Sequence, residues 1–141
     1  MNERGIISLT ALCMMMILAI SIATMKNIAA RQADIVRYYK LENDLQSAAE
    51  SYFNEVVANY DNQKSNFAPR YIFIRSANKQ AKVTIYLKNI NNNKVAITSL
   101  AELQNYNYGN YSVYGRVSGY MTKVNDDEAE DEKYEFTGYI Y

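Results

Sequence analysis

The side chains that most often carry out chemistry are scarce in this chain. It has no His and a single Cys, Cys13. One copy therefore cannot assemble a Ser-His-Asp triad, a Cys-His dyad, a His- or Cys-rich zinc site or an internal disulfide. Carboxylates are the exception. Asp126, Asp127, Glu128, Glu130, Asp131, Glu132 and Glu135 fall within one short stretch, broken only by Ala129, Lys133 and Tyr134. The plainest reading of this stretch is a solvated loop between two strands. A sharper one is a Ca²⁺ site built from Asp126, Asp127, Glu128, Glu130 and Asp131, because a hard cation takes carboxylate oxygens. The spacing matches no EF-hand and lacks its central Gly, and no other cofactor is expected. A third reading is docking against a basic partner. Lys64, Arg70, Arg75, Lys79, Lys82, Lys88 and Lys94 supply such a surface, with no acid among them. Acidic loop against basic strands would set the registry between subunits more than their affinity. The same basic block, with Tyr71 and Tyr86, could touch a DNA backbone, but its charges are scattered.

The global balance limits these options. Fifteen Lys+Arg offset fifteen Asp+Glu, so the formal net charge is zero. General nucleic-acid and anionic-surface binders are normally strongly basic. At 141 residues the chain fits one domain with a modest core. Its fourteen Tyr crowd toward the C-terminal half, with Tyr106, Tyr108, Tyr111 and Tyr114 close together. Tyr suits either a half-exposed sheet or a contact surface, having an apolar body and a polar tip. An enzyme is not expected.

Elements must position these groups, and the first of them is apolar. Gly5–Met25 carries no charge and is fenced by Arg4 and Lys26. A bilayer-spanning helix needs roughly 20 apolar residues, so this run is long enough. Ser8, Thr10, Ser21 and Thr24 supply its few polar atoms, and hydroxyls can bond back to helix carbonyls. From Ile28 the pattern becomes amphipathic, through Ile35, Tyr38, Leu41, Leu45, Ala48/Ala49, Tyr52/Phe53, Val56 and Tyr60. Steps of three and four predict one buried stripe. No Gly or Pro interrupts Ile6–Ala58, which predicts a single helix about 80 Å long. Asn59–Asn62 is the expected stop.

Arg4-Gly5 stands directly before the apolar run, and that junction resembles the prepilin signature of the type IV pilin superfamily. The resemblance implies that a membrane peptidase cuts after Gly5 and methylates the new N-terminus at Ile6. It also implies an assembly role for the fifth mature position, Thr10. Most members of the family carry Glu there, to neutralise the N-terminal amine of the next subunit inside an apolar bundle, where a lone charge is costly. Thr10 has no such charge to offer. The resemblance therefore narrows to minor pilins and pseudopilins that lack the Glu: the pilus-assembly X type, the type II secretion K type and the competence minor type. The plainer reading of Thr10 is a helix residue whose hydroxyl bonds its own backbone. The implied partners are prepilin peptidase, other pilin subunits, the assembly platform and the membrane, with DNA uptake the remote case.

Beyond Asn62 the period changes to two. Arg70–Arg75 and Lys82–Lys88 read as strands, with Val83, Ile85 and Leu87 toward the helix. Asn91–Asn93 is a turn and Val95–Thr98 a short third strand. Tyr111–Val124 is a long strand in which Gly115 and Gly119 allow bends or bulges. Lys133–Tyr141 is the last, with Tyr134, Phe136 and Ile140 on one face. The expected fold is α+β and pilin-like: a long N-terminal helix, transmembrane in its first half, packed on a four- or five-stranded antiparallel sheet. The expected segments are a 1–5 leader, a 6–26 transmembrane and assembly helix, its amphipathic continuation at 27–60, and a β-rich extracytoplasmic domain at 61–141. The expected function is a non-catalytic subunit in the assembly, initiation or tip of a type IV pilus-like filament. The alternative is a single-pass membrane protein with a small extracytoplasmic β-rich binding domain.

Overall fold

The computed structural model describes residues 3–60, 67–108, 111–124 and 133–140, with only the backbone described for 3–6, 104–108 and 111. One helix, α1 (Glu3–Ala58), precedes five strands: β1 (Arg70–Ile74), β2 (Lys79–Asn91), β3 (Lys94–Tyr108), β4 (Tyr111–Val124) and β5 (Lys133–Tyr139). All neighbouring strands are antiparallel, in the order β1-β2-β3-β4-β5. The architecture is the expected α+β. By contact the chain divides into two units, Met1–Arg37 and Tyr38–Tyr141.

Within the second unit, 38–58 of α1 covers one face of the sheet. Leu41, Leu45, Ala48, Ala49, Tyr52, Phe53 and Val56 are buried at the predicted spacing, followed by Tyr60. Ile35 was expected on this stripe but is 54% exposed, and burial begins only at Leu41. Asn59 closes the last turn. Its side-chain Nδ2 donates to the Glu55 carbonyl at 2.9 Å, meeting one of the acceptors a helix end leaves open.

The sheet presents its inner face to this helix through Ala81 and Val83, then Val95, Ile97, Ser99, Ala101 and Leu103, then Val113, Val117 and Met121, all buried. β3 therefore runs well past the expected Val95–Thr98. Its inner positions include Ser99 and Ala101, small residues without the β-branched signature of a strand, and this is why the pattern reads weakly. β2 is also longer than expected. β1 pairs only with Lys79–Val83, so the rest of β2 forms an edge. Leu87 lies on the inner side, opposite Ile97, yet is 36% exposed.

Gly115 and Gly119 do not mark bends. Gly115 pairs in register with Ala101, and Gly119 with Ile97. They are places of close approach. A Cβ on Gly115 would lie 2.3 Å from the Leu45 carbonyl carbon and oxygen, and one on Gly119 would lie 2.7 Å from the rings of Phe53 and Phe136. The irregularity falls elsewhere, in the β4–β5 pairing between Tyr120 and Met121. There Gly138 takes a φ of 153°, which other residues rarely adopt. The extra residue puts both Phe136 and Tyr139 against Phe53, each with ring centroids 5.9 Å away. Tyr139, and not the expected Ile140, joins Phe136 on the helix side.

The turns use Asn in place of the scarce Gly. Asn78 closes the β1–β2 turn at φ 51°, donating its N–H to the Arg75 carbonyl at 3.3 Å. The Asn91 side chain accepts the Asn93 N–H at 3.0 Å in the β2–β3 turn.

Candidate functional site

The first candidate is the surface of the helix itself. Within the first unit every large apolar side chain from Ile7 to Ile28 is at least half exposed, including Leu12, Met14, Met15, Met16, Ile17 and Leu18. Such a surface is unfavourable in water. Each Leu, Ile or Met leaves about 1.5–3 kcal/mol of burial unrealised. The helix is long and apolar enough to cross a membrane. The expected hydroxyl back-bonds form at Thr10, Ser21 and Thr24. Thr10 Oγ1 donates to the Ile7 carbonyl at 2.9 Å, Ser21 Oγ to Ile17 at 2.8 Å, and Thr24 Oγ1 to Ser21 at 2.8 Å. Each satisfies in situ a group that hydrocarbon cannot solvate. Cys13 is a free, exposed thiol on the same surface. Gly5 and Ile6 belong to the first turns of α1, and only their backbone is described.

The acidic candidates Asp126, Asp127, Glu128, Glu130 and Asp131 also lie outside the described residues, between the ends of β4 and β5. Among the described residues no group of three or more Asp, Glu or Cys could hold a metal ion.

The second unit holds an arrangement that sequence reasoning did not find. Gln46 reaches from α1 to the backbone of β4. Its Oε1 accepts the Arg116 N–H at 3.1 Å and its Nε2 donates to the Arg116 carbonyl at 3.3 Å. β5 pairs with β4 only from Gly119 onward, so Gln46 takes the position that a further stretch of strand would fill. No sequence signal marks it, since a Gln on a polar helix face is ordinary.

The basic block is divided by the fold. Arg70 is engaged within its own chain, although its side chain stays half exposed. Its guanidinium forms a two-pronged ion pair with Glu55 and sits over the Tyr52 ring, 4.6 Å from the centroid. The bond from Glu55 raises the Arg70 pKa further above its ordinary value, so it stays charged. The Tyr52 hydroxyl donates to the Ala68 carbonyl at 2.6 Å, fixing the chain that leads into β1. Lys82, Lys88 and Lys94 lie on the outer face of the sheet, away from the helix. Tyr86 and Tyr114 are 54% and 53% exposed on that same face. The side chains of Tyr106, Tyr108 and Tyr111 are not among those described. A concavity of about 660 Å³ opens over the outer face, between Tyr86 and Lys88 on β2 and Tyr114 and Arg116 on β4.

Comparison with protein-family models, curated proteins and solved structures found no match. The apolar helix surface and the outer face of the sheet are thus the two features from which a function can be argued.

Proposed function

We propose that the chain is a minor subunit of a type IV pilus-like filament, made as a single-pass membrane precursor and without catalytic activity. The observation that supports this reading is one helix, α1, with two kinds of surface. Its first stretch exposes an unbroken apolar surface, while 38–58 backs an antiparallel sheet. Arg4-Gly5 stands directly before the apolar stretch. Under this reading, prepilin peptidase cuts between Gly5 and Ile6 and methylates Ile6, leaving the β-rich part outside the cytoplasmic membrane. The assembly platform then moves the helix from lipid into a bundle of neighbouring subunits, and so to a filament at the cell surface. Lipid tails are as apolar as Leu or Met side chains, so burial alone does not drive this transfer. Helix packing and the machine must supply it. Thr10 brings no carboxylate to meet a neighbour's N-terminal amine, which suits a subunit that starts or caps the filament, in a pilus, a secretion pseudopilus or a competence pilus.

The test is the N-terminus of the protein recovered from its native membranes, read by intact mass and peptide sequencing. The expected species begins at N-methylated Ile6, and Gly5→Val makes the uncut precursor accumulate. An intact Met1 overturns the filament reading in favour of a membrane-anchored β-rich binding protein. A start at Thr24, after the small-residue site Ser21-Ile22-Ala23 that a signal peptidase could cut, shows a secreted domain and overturns both.

A further inference from the structure

The outer face of the sheet orders its side chains in a way that neither the core nor an anchor requires. Strand register sets Tyr86 opposite Thr98, Thr84 opposite Leu100 and Lys82 opposite Glu102. It then sets Thr98 opposite Ser118, Leu100 opposite Arg116 and Glu102 opposite Tyr114. Read diagonally across β2, β3 and β4, Tyr86, Leu100 and Tyr114 form one line. Lys88, Thr98 and Arg116 form a second, parallel line one outward position along. With strands about 4.8 Å apart and about 3.3 Å per residue, each diagonal spans about 16 Å. The result is an aromatic and aliphatic track with a cation at each end of the polar line beside it. Glu102 flanks the opposite side. Among the described residues, no hydrogen bond or ion pair engages the Lys88 ammonium, the Arg116 guanidinium, the Glu102 carboxylate or either Tyr hydroxyl. The concavity above the track, about 660 Å³, lies in the range of sites that hold a ligand.

The geometry points to an extended acidic polysaccharide as the occupant, with Tyr86 and Tyr114 stacking on sugar rings and Lys88 and Arg116 pairing with carboxylates spaced along the polymer. Two observations favour this class. Lys82 stands opposite Glu102 and Lys94 lies over the Tyr120 ring, which leaves Lys88 and Arg116 about 16 Å apart, suiting a polymer with intermittent carboxylates rather than one phosphate per residue. Glu102 stands beside the track, where it can accept hydrogen bonds from sugar hydroxyls. Ser112 adds a hydroxyl that both donates and accepts, while the buried Ser118 hydroxyl is bonded to Thr98 at 2.9 Å. The track is independent of how the chain is anchored or processed.

The test titrates a hyaluronan octasaccharide, with one carboxylate every second sugar, into full-length protein in detergent micelles. Tyr fluorescence is the readout, since the chain has no Trp. Saturable binding is expected, weakened about tenfold by Tyr86→Ala and by Tyr114→Ala, and retained by Tyr86→Phe. Lys88→Gln with Arg116→Gln should also weaken it, and neutral chitohexaose should bind at least about tenfold more weakly. Tyr39→Ala, at an exposed helix position, is the control and should change nothing. The proposal is overturned by no saturation at millimolar octasaccharide, by equal loss in Tyr39→Ala, or by chitohexaose binding as tightly. It is also overturned if a dT12 oligonucleotide binds more tightly with a steep salt dependence, which would make the track a single-strand nucleic-acid surface.

Discussion

Ile17 and Leu45 are aliphatic residues of one helix, and they meet opposite conditions. Leu45 is fully buried, with its carbonyl pressed onto Gly115, whereas Ile17 is 64% exposed. The helical backbone is alike in both places. What differs is the sequence around each residue. Near Leu45, charged residues such as Lys40, Glu42, Asp44 and Glu50 leave one apolar stripe, and a stripe can be served by a single sheet face. Near Ile17 there is no polar side, so a surface apolar all round needs a surrounding medium, either lipid or other helices. The contrast explains why one chain carries a soluble-type core and a surface that water alone cannot satisfy.

Substitutions can break or sharpen this comparison, each read by denaturant unfolding of the full chain in micelles with near-ultraviolet Tyr dichroism as the signal. Phe53→Ala removes the largest fully buried side chain, which touches both Phe136 and Tyr139, and should cost about 4 kcal/mol. A loss below about 1 kcal/mol would mean that β5 is not held by this ring. Gly115→Ala should cost about 3 kcal/mol, at the upper end for overpacking, because the obstacle is helix backbone that cannot rotate away. Gln46→Ala removes two hydrogen bonds to Arg116 and should cost about 1 kcal/mol, since an edge backbone group can turn to water. Ile17→Ala should leave the unfolding of the β-rich unit within about 0.5 kcal/mol of the parent. A larger effect there would show that the apolar stretch contributes to the same core.

The periodic elements were legible in the sequence because they follow from burial on one side. The stripe from Leu41 to Tyr60 and the bounds of Tyr111–Val124 came directly from spacing. What escaped was governed by close approach. Where the helix meets β4, Gly115 is small so that the backbones can approach, and the buried Ser99 and Ala101 lack the β-branched signal that identifies a strand. The same close approach turned two glycines that read as bends into contact points. The bulge at Gly138 was equally hidden, so the face of β5 was assigned by simple alternation and came out one residue wrong. Of the candidate sites, the apolar helix surface could be read from composition alone. The diagonal track could not, because it exists only once three strands are set in register.

Gln46 grips position 116 through main-chain atoms that every residue except proline possesses. The helix is therefore seated on β4 without reference to which side chain stands there, and that side chain points to the other face. Position 116 is free to vary while the helix keeps its place. The outer surface can be rewritten by mutation, one residue at a time, over an unchanged scaffold. A lineage carrying this fold could alter what it touches without having to relearn how to fold.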